Sequence, residues 1–557
     1  MQLNVNVTAK TTEWHEVDWQ RAYHNVRNLR RRIFKATESK DWRKVRNLQR
    51  LMLRSYSNVL LAVRKATQEN KGKKTAGVDK VLVKTPRKRG QMVDDIINNQ
   101  DWKPKPVRRV YIPKSNGRKR PLGIPTIRDR CLQAIVKNAL EPCWEAQFEG
   151  ISYGFRPGRS SHDAIEKIYK AVRPHTKKKW VVDADISGCF DNINHNYLLS
   201  TIRNFPARKM IKEWLKAGYI DNNVFHSQES GTPQGGIISP LLANIALHGM
   251  EENLGVIYDP YLGYSRGKRI VVRYADDFVI LCESKDDAEL AKWDIEKWLI
   301  QRGLKLSPEK TKIAHITEGF DFLGFNVRQY KVKNTKTGYK LLIKPSKKFL
   351  QKIRNDIRKI FLNHSGRRVG DLIGKINPVI RGKANYLRRV VSYKSFNDLD
   401  NYLFKRQVRF VKRTHPKKDK KWTQNKYWGR LNLQRTDKWV FGDKEAGSYM
   451  LKFSWTKIER HALVKQRSSP DDPSLKEYWA KRSKKSQKSE AAKWNTKQEQ
   501  VAYKQDYQCP ICKQSLFNNE ELHLHHIVPR SKGGKDVLSN LVWLHLFCHH
   551  KVHHQKT

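Results

Sequence analysis

The run Arg273-Tyr274-Ala275-Asp276-Asp277-Phe278 restricts what this chain can become more than any other stretch. Arg269-Ile270-Val271-Val272 precedes it and Val279-Ile280-Leu281 follows it. Two β-rich runs around a tight acidic turn predict a hairpin with adjacent carboxylates at its tip. Carboxylate oxygens presented in this way can hold divalent cations. A solvated turn would also carry Asp, a common turn residue, so the choice rests on the rest of the chain.

A second acidic strand end lies upstream. Residues 180–195 begin as a buried strand and end as a helix start. Asp185 stands where the apolar run stops, so a rigid strand can aim its carboxylate at a ligand. Asp183 shares that face by strand periodicity but lies nearer the core, and Asp191 suits the start or cap of the next helix. Asp185 is therefore preferred to Asp183 as the metal ligand. Residues 107–125 read as a basic hairpin turning at Ser115-Asn116-Gly117. Its Arg108, Lys114 and Arg120 are candidates to converge on a triphosphate, where fixed cations neutralise charge on a leaving pyrophosphate. Gly231-Thr232-Pro233-Gln234-Gly235-Gly236 leads into a helix, and its glycines allow close backbone approach to a substrate.

Net charge narrows the partner. The 557 residues carry 112 Lys+Arg against 54 Asp+Glu, a balance of +58. Such an excess repels itself unless an anion neutralises it, and nucleic-acid phosphate is the usual source. The 16 Trp and 21 Tyr add rings that can stack on unpaired bases. No apolar run reaches membrane-spanning length, and Met1–Lys10 lacks a signal layout. The expectation is a soluble protein of the prokaryotic cytoplasm, acting at the nucleoid, with no membrane partner.

The seven Cys do not suggest a disulfide framework. Cys509-Pro-Ile-Cys512 and His545-Leu-Phe-Cys548 are two pairs with the same offset, which suits four ligands on one tetrahedral zinc. His525-His526, Asn540, His549 and His553 lie around them.

Helical periodicity runs from Trp14 to about Gln68, with Trp19, Ala22, Val26, Leu29 and Ile33, then Val45, Leu48, Met52 and Val59, on the apolar side. It returns from about Ile343 to Arg413, where Ile376–Gly382 interrupts it. Residues 414–500 are Lys-rich and weakly periodic, a composition expected to be partly disordered without nucleic acid, and Ser468–Pro473 reads as a linker.

The order of Gly-Ile-Pro, Asp185 with Phe190-Asp191, Thr-Pro-Gln-Gly, Tyr-Ala-Asp-Asp and Leu-Gly-Phe resembles a reverse transcriptase, specifically the multifunctional protein encoded within group II introns. The resemblance implies that Asp185, Asp276 and Asp277 are the catalytic carboxylates of a two-Mg2+ site. It implies that Phe190 is an aromatic gate selecting deoxynucleotides, that Arg108, Lys114 and Arg120 contact the triphosphate, and that Gln234 supports the primer–template pair. The C-terminal pattern resembles an HNH (ββα-metal) endonuclease. In that motif His526 is the general base, Asn540 orients it through the backbone, and His525, His549 and His553 bind a catalytic divalent metal. Cys509, Cys512, His545 and Cys548 hold structural zinc.

The expected architecture is α/β and multidomain. A basic helical extension over 1–70 precedes right-hand fingers and palm over 71–340. An α-helical thumb or maturase domain over 341–445 follows, then a DNA-binding segment and linker over 446–500, and a zinc-containing nuclease over 501–557. The implied function is RNA-directed DNA synthesis, assistance to splicing of the chain's own intron RNA, and nicking of target DNA to prime copying. The implied partners are intron RNA, target DNA and deoxynucleoside triphosphates.

Overall fold

The structure is a computed structural model that describes residues 11–99, 102–113, 117, 119–232, 234–258, 265–492, 494 and 496–554. Three helices open it: α1 (Trp19–Glu38), α2 (Trp42–Arg54) and α3 (Tyr56–Arg64). Asp18, Asp41 and Ser55 cap them by accepting from backbone N–H groups of the first turn. The predicted apolar stripe is the packed one, with Trp19, Val26, Ile33, Val45, Leu48 and Met52 all buried.

The fingers hairpin pairs β1 (Val107–Pro113) with β2 (Lys119–Ile124). The expected turn at 115–116 lies outside the described residues, as does Lys114. Helix α4 (Ile127–Glu145) follows, packs against α1–α3 and carries the fingers onto the N-terminal helices.

The palm is built on β3 (Trp180–Asp185). Next come β4 (Tyr219–Asp221) and β5 (Val224–His226), which extend the fingers sheet to the order β2-β1-β4-β5. The predicted central hairpin is β6 (Ile270–Tyr274) with β7 (Asp277–Cys282). With β8 (Lys312–His315) these give a fully antiparallel sheet of order β8-β3-β7-β6. Val181, Val182, Val271, Val272, Val279 and Ile280 are almost completely buried, which makes the sheet a rigid platform.

Strands β9 (Phe320–Phe322), β10 (Phe325–Lys331) and β11 (Tyr339–Pro345) form a second sheet. Helical structure was expected from about Ile343. Instead β11 runs to Pro345, because Leu341, Ile343 and Pro345 alternate inward with period two. Helices α5 (Lys347–Asn363), α6 (Val369–Leu387) and α7 (Tyr393–Thr414) complete the thumb. The interruption expected at Ile376–Gly382 is absent, since α6 passes straight through Pro378. Burial of Ile376, Ile380, Ala384 and Leu387 on one face offsets the hydrogen bond that proline forfeits. Asn377 fastens the same turn by donating to the Tyr449 carbonyl and accepting from the Leu451 N–H.

Residues 414–492 carry helices and strands in this structure. They form a short helix (Lys420–Tyr427), a small three-stranded ribbon and α8 (Lys476–Ala491). Ser468–Pro473 is not a free linker. Ser469 and Asp471 are buried, and Asp471 accepts two bonds from Arg30 of α1, at 2.8 and 2.7 Å. The C-terminal module has α9 (Thr496–Lys504), antiparallel β12 (Leu522–His526) and β13 (Leu541–His545), and α10 (Leu546–His554).

That module rests on the N-terminal helices. Arg64, fully buried on α3, donates to Glu520 at 2.6 Å and lies 3.8 Å from Cys512 Sγ. His15 stacks on Phe547 of α10. Among the described residues no helix is long and apolar enough to cross a membrane.

Candidate polymerase and nuclease sites

The antiparallel register of β3 and β7 sets Asp185 directly opposite Asp277. Asp276 occupies the turn between β6 and β7. All three predicted carboxylates therefore meet at one end of the palm sheet. Burial, then the charges of Asp276 and Asp185, push the Asp277 carboxyl up to about 7. Burial raises Asp276 as well, with Asp185 adding to the shift and Arg120 opposing it. Asp183, one step inward, is raised to about 7 mainly by burial, with Asp321 and Asp185 contributing. It pairs with Val279 and Lys312 inside the sheet, away from the turn.

The turn is clamped from below. Ala275 takes a left-handed φ of +60°. The buried Arg273 guanidinium donates to the Ala275 carbonyl at 3.3 Å and to Asn244 at 3.0 Å. Asn244 donates in turn to the Gly154 carbonyl. A Cβ on Gly154 would fall 2.2 Å from the Ala275 nitrogen, so only glycine lets the two backbones approach this closely.

Sequence reasoning did not assign a role to Lys310. Its ammonium sits 2.5 Å from Asp185 Oδ2. The segment leading to it is tied to Asp185 by the Ser307 N–H, which donates to the Asp185 carbonyl. A cation thus already stands where hard oxygen donors converge, and a divalent ion fits the same donor set.

Phe190 lies edge-on to Phe155, centroids 6.0 Å apart, with Phe155 half-exposed at a left-handed φ. Gln234 links three parts of the site. Its carbonyl accepts from Gly123 of the fingers, and its amide donates to Asp191 at 3.0 Å, one residue past Phe190. Asp191 falls inside a one-turn helix, Cys189–Asn192, and does not cap the helix that follows, for which Asn194 is the cap. Arg108 and Arg120 share a face of the fingers hairpin but stand four ladder positions apart, with Arg108 opposite Ile124 and Arg120 opposite Ile112. Arg120 acts electrostatically on Asp276, as Lys310 does.

The C-terminal module brings two ligand groups together. Cys509, Cys512, His545 and Cys548 are buried, with their ligand atoms all within 4.8 Å of one another. His545 Nε2 bonds the Ser515 carbonyl, and this leaves Nδ1, 3.4 Å from Cys512 Sγ, to face the cluster. Within this coupled cluster, hydrogen bonds from Cys512 and Cys548 lower the Cys509 thiol while the same contacts raise Cys548, and a tetrahedral zinc would take all four groups as ligands.

His525, His549 and His553 form the second group. His549 and His553 lie one turn apart on α10, with Nε2 atoms 3.3 Å apart. Burial and the neighbouring imidazoles lower His549 to about 4, so it is neutral and able to ligate at neutral pH. His526 points to the other face of β12. There it lines a cavity of about 400 Å³ with Lys497 and Arg530. Its Nε2 lies 2.5 Å from Asp536, which Arg530 also holds. Asn540 pins the chain just beyond His526: its Oδ1 accepts from Val528 N–H and its carbonyl from Ile527 N–H. Asp536 had no sequence signal beyond being an acid in a Gly-rich loop.

Comparison with known proteins agrees with this layout. The model of the reverse transcriptase (RNA-dependent DNA polymerase) family matches residues 112–327, and that of the N-terminal domain of reverse transcriptase matches 14–96. The group II intron maturase-specific domain matches 350–428, and the HNH endonuclease family matches 509–555. Protein YkfC of Escherichia coli is 37% identical over 317 residues, which are 50% of this chain and 82% of YkfC. The group II intron-encoded protein LtrA of Lactococcus lactis is 33% identical over 320 residues, 46% of this chain and 53% of LtrA. A 91 kDa protein in the cob intron of Schizosaccharomyces pombe is 32% identical over 371 residues, 53% of this chain and 45% of that protein. The chain thus spans about half the length of the last two. With an N-terminal, polymerase, maturase and nuclease match in that order, the chain belongs to the group II intron-encoded reverse transcriptases.

Proposed function

We propose that this chain copies a group II intron RNA into DNA, assists the splicing of that RNA, and nicks a DNA target whose new 3′ end primes the copying. The observation that carries the reading is the β3–β7 register, which sets Asp185 against Asp277 with Asp276 at the adjoining turn. Asp185, Asp276 and Asp277 bind the divalent ions, which we take to be Mg2+ because every donor is a hard oxygen. When bound, such a pair supplies activation of the primer hydroxyl and compensation of charge on the departing pyrophosphate.

The chain's own groups do the rest. The clamp of Arg273, Asn244 and Gly154 holds the turn so that Asp276 needs no reorganisation. Arg120 faces the triphosphate, and Arg108 and Lys114 continue the cationic hairpin. The Phe190 ring lies under the sugar and excludes a 2′-hydroxyl. Gln234 ties fingers to palm under the primer–template pair. Lys310, paired with Asp185 in this structure, would give up that oxygen to a divalent ion.

In the nuclease, His525, His549 and His553 would hold the catalytic divalent metal. His526, aligned by Asn540, takes the proton from the attacking water. Cys509, Cys512, His545 and Cys548 hold zinc for structure.

The test is primer extension. Asp276→Ala is expected to abolish DNA synthesis while RNA binding survives, and near-normal extension by that variant overturns the assignment. His526→Ala is expected to abolish nicking with synthesis intact, and retained nicking removes the base from His526.

A further inference from the structure

The cysteine–histidine cluster of the C-terminal module is closed on one side by a residue from outside that module. Arg64 of α3 is fully buried, and its guanidinium reaches two groups of the module at once. Nε and Nη2 donate to the same oxygen of Glu520, at 2.9 and 2.6 Å, and Nη2 also donates to the Cys512 sulfur at 3.8 Å. The buried Trp19 ring of α1 lies 4.6 Å from the guanidinium. The cation is therefore enclosed where the N-terminal helices meet the cluster.

Enclosure makes a cation costly unless anions answer it. Glu520 answers part of this one. Glu69 stands 3.8 Å from Arg64 Nε, but its carboxylate already receives the Tyr23 hydroxyl and the Lys65 ammonium. The next anion is the cluster itself. Three thiolates outweigh the charge of Zn2+, so Cys509, Cys512, His545 and Cys548 together are anionic once they hold the metal. In an enclosed site, a hydrogen bond from a cation to such a sulfur is stronger than the same contact in water. Groups that support a metal's ligands from behind also change how tightly the metal is held.

We propose that Arg64 is a positioning residue of the zinc centre. It fixes the Cys512 sulfur and balances the charge of the loaded cluster, so the nuclease module holds zinc more tightly when seated on the polymerase's N-terminal helices. The inference rests on the proposed zinc assignment and adds to it a residue from the other end of the chain on which that metal depends. Such coupling is reciprocal: the factor that the seat adds to zinc affinity is the factor that zinc adds to the seat.

The test uses the full chain loaded with Zn2+, and with Co2+ as a coloured stand-in. Competition against a chromophoric chelator measures affinity. Arg64→Met is expected to bind zinc about tenfold or more weakly than the parent. Without the guanidinium the Cys512 lone pairs rise in energy, so the sulfur-to-cobalt charge-transfer band should move to longer wavelength. Arg64→Lys keeps the charge without the planar fork and should lose less zinc affinity than Arg64→Met. The double variant Arg64→Met/Glu520→Leu separates metal from seat. Its first melting transition should recover part of the way, because the stranded Glu520 charge is gone, while its zinc affinity stays as low as that of Arg64→Met.

Zinc affinity that recovers in step with the seat overturns the proposal, since the metal then follows docking and not Arg64. An Arg64→Met chain with the parent's zinc affinity and cobalt spectrum overturns it too, and leaves the zinc assignment standing. A parent chain that binds no zinc overturns the zinc assignment and this inference with it. Nicking is not read, so no outcome turns on the catalytic metal or on His526.

Discussion

Asp277 is the residue at which electrostatics and function conflict most directly. Its carboxyl is held near 7 by burial and by two neighbouring acids, against an ordinary value of 3.8. A raised carboxyl favours the folded state only while protonated. Its contribution is complete below pH 3.8 and is lost as pH climbs toward 7. In chelator, Asp277→Asn should therefore melt progressively higher than the parent between those limits. Magnesium should close the gap by stabilising the parent alone. Thermal melts across pH, with and without metal, check both. At Gly154 the argument is steric. The added methyl of Gly154→Ala meets the Ala275 backbone at 2.2 Å. Backbone there cannot yield without moving Asp276, so DNA synthesis should fall at least about tenfold while RNA affinity is kept. Phe190→Ala should instead preserve synthesis and admit ribonucleotides, read as the ratio of ribo- to deoxynucleotide incorporation.

Among the elements, hairpins and helices with strong periodicity were legible in advance. The Tyr-Ala-Asp-Asp hairpin, the Asp185 strand end and the N-terminal helical stripe needed only local pattern, because side-chain alternation fixes which face is buried. The approach of Asp185 to Asp277 came from the family resemblance, and β3–β7 pairing supplies its physical basis. Other features had no local signal. Helix α6 survives Pro378 because of tertiary burial and the Asn377 contacts to a distant loop. Ser468–Pro473 has a linker's composition, yet Arg30, more than four hundred residues away, draws Asp471 into the core. Lys310 and Asp536 were ordinary charged residues until folding set them beside Asp185 and His526. The Cys509, Cys512, His545 and Cys548 group shows the reverse case, since spacing alone marked four residues that the fold brings together. The core of the C-terminal module is small, so metal should carry much of its stability. Cys548→Ser is expected to lose bound zinc and to make residues 501–557 sensitive to protease, with primer extension kept. Elemental analysis and limited proteolysis measure the two effects.

At the scale of the molecule, the nuclease is seated on the polymerase by a buried ion pair. Arg64 is fully enclosed, and Glu520 keeps only 3% of its side chain exposed. Arg64→Met would strand Glu520 as an unpaired buried charge, at a cost of about 3–5 kcal/mol. The expected result is faster release of the C-terminal module by trypsin and a lower first melting transition, with the palm's DNA synthesis unaffected. A matching Glu520→Leu change in the same protein should restore part of the loss, because the stranded Glu520 charge is removed while Asn518 still loses its acceptor and Glu69 a neighbouring cation. This anchorage sets how far apart two chemical events can occur. A tethered blade would open a strand anywhere within its leash, whereas one bolted to the frame works as a caliper. The offset between the severed position and the place where synthesis starts then becomes a length written into the protein.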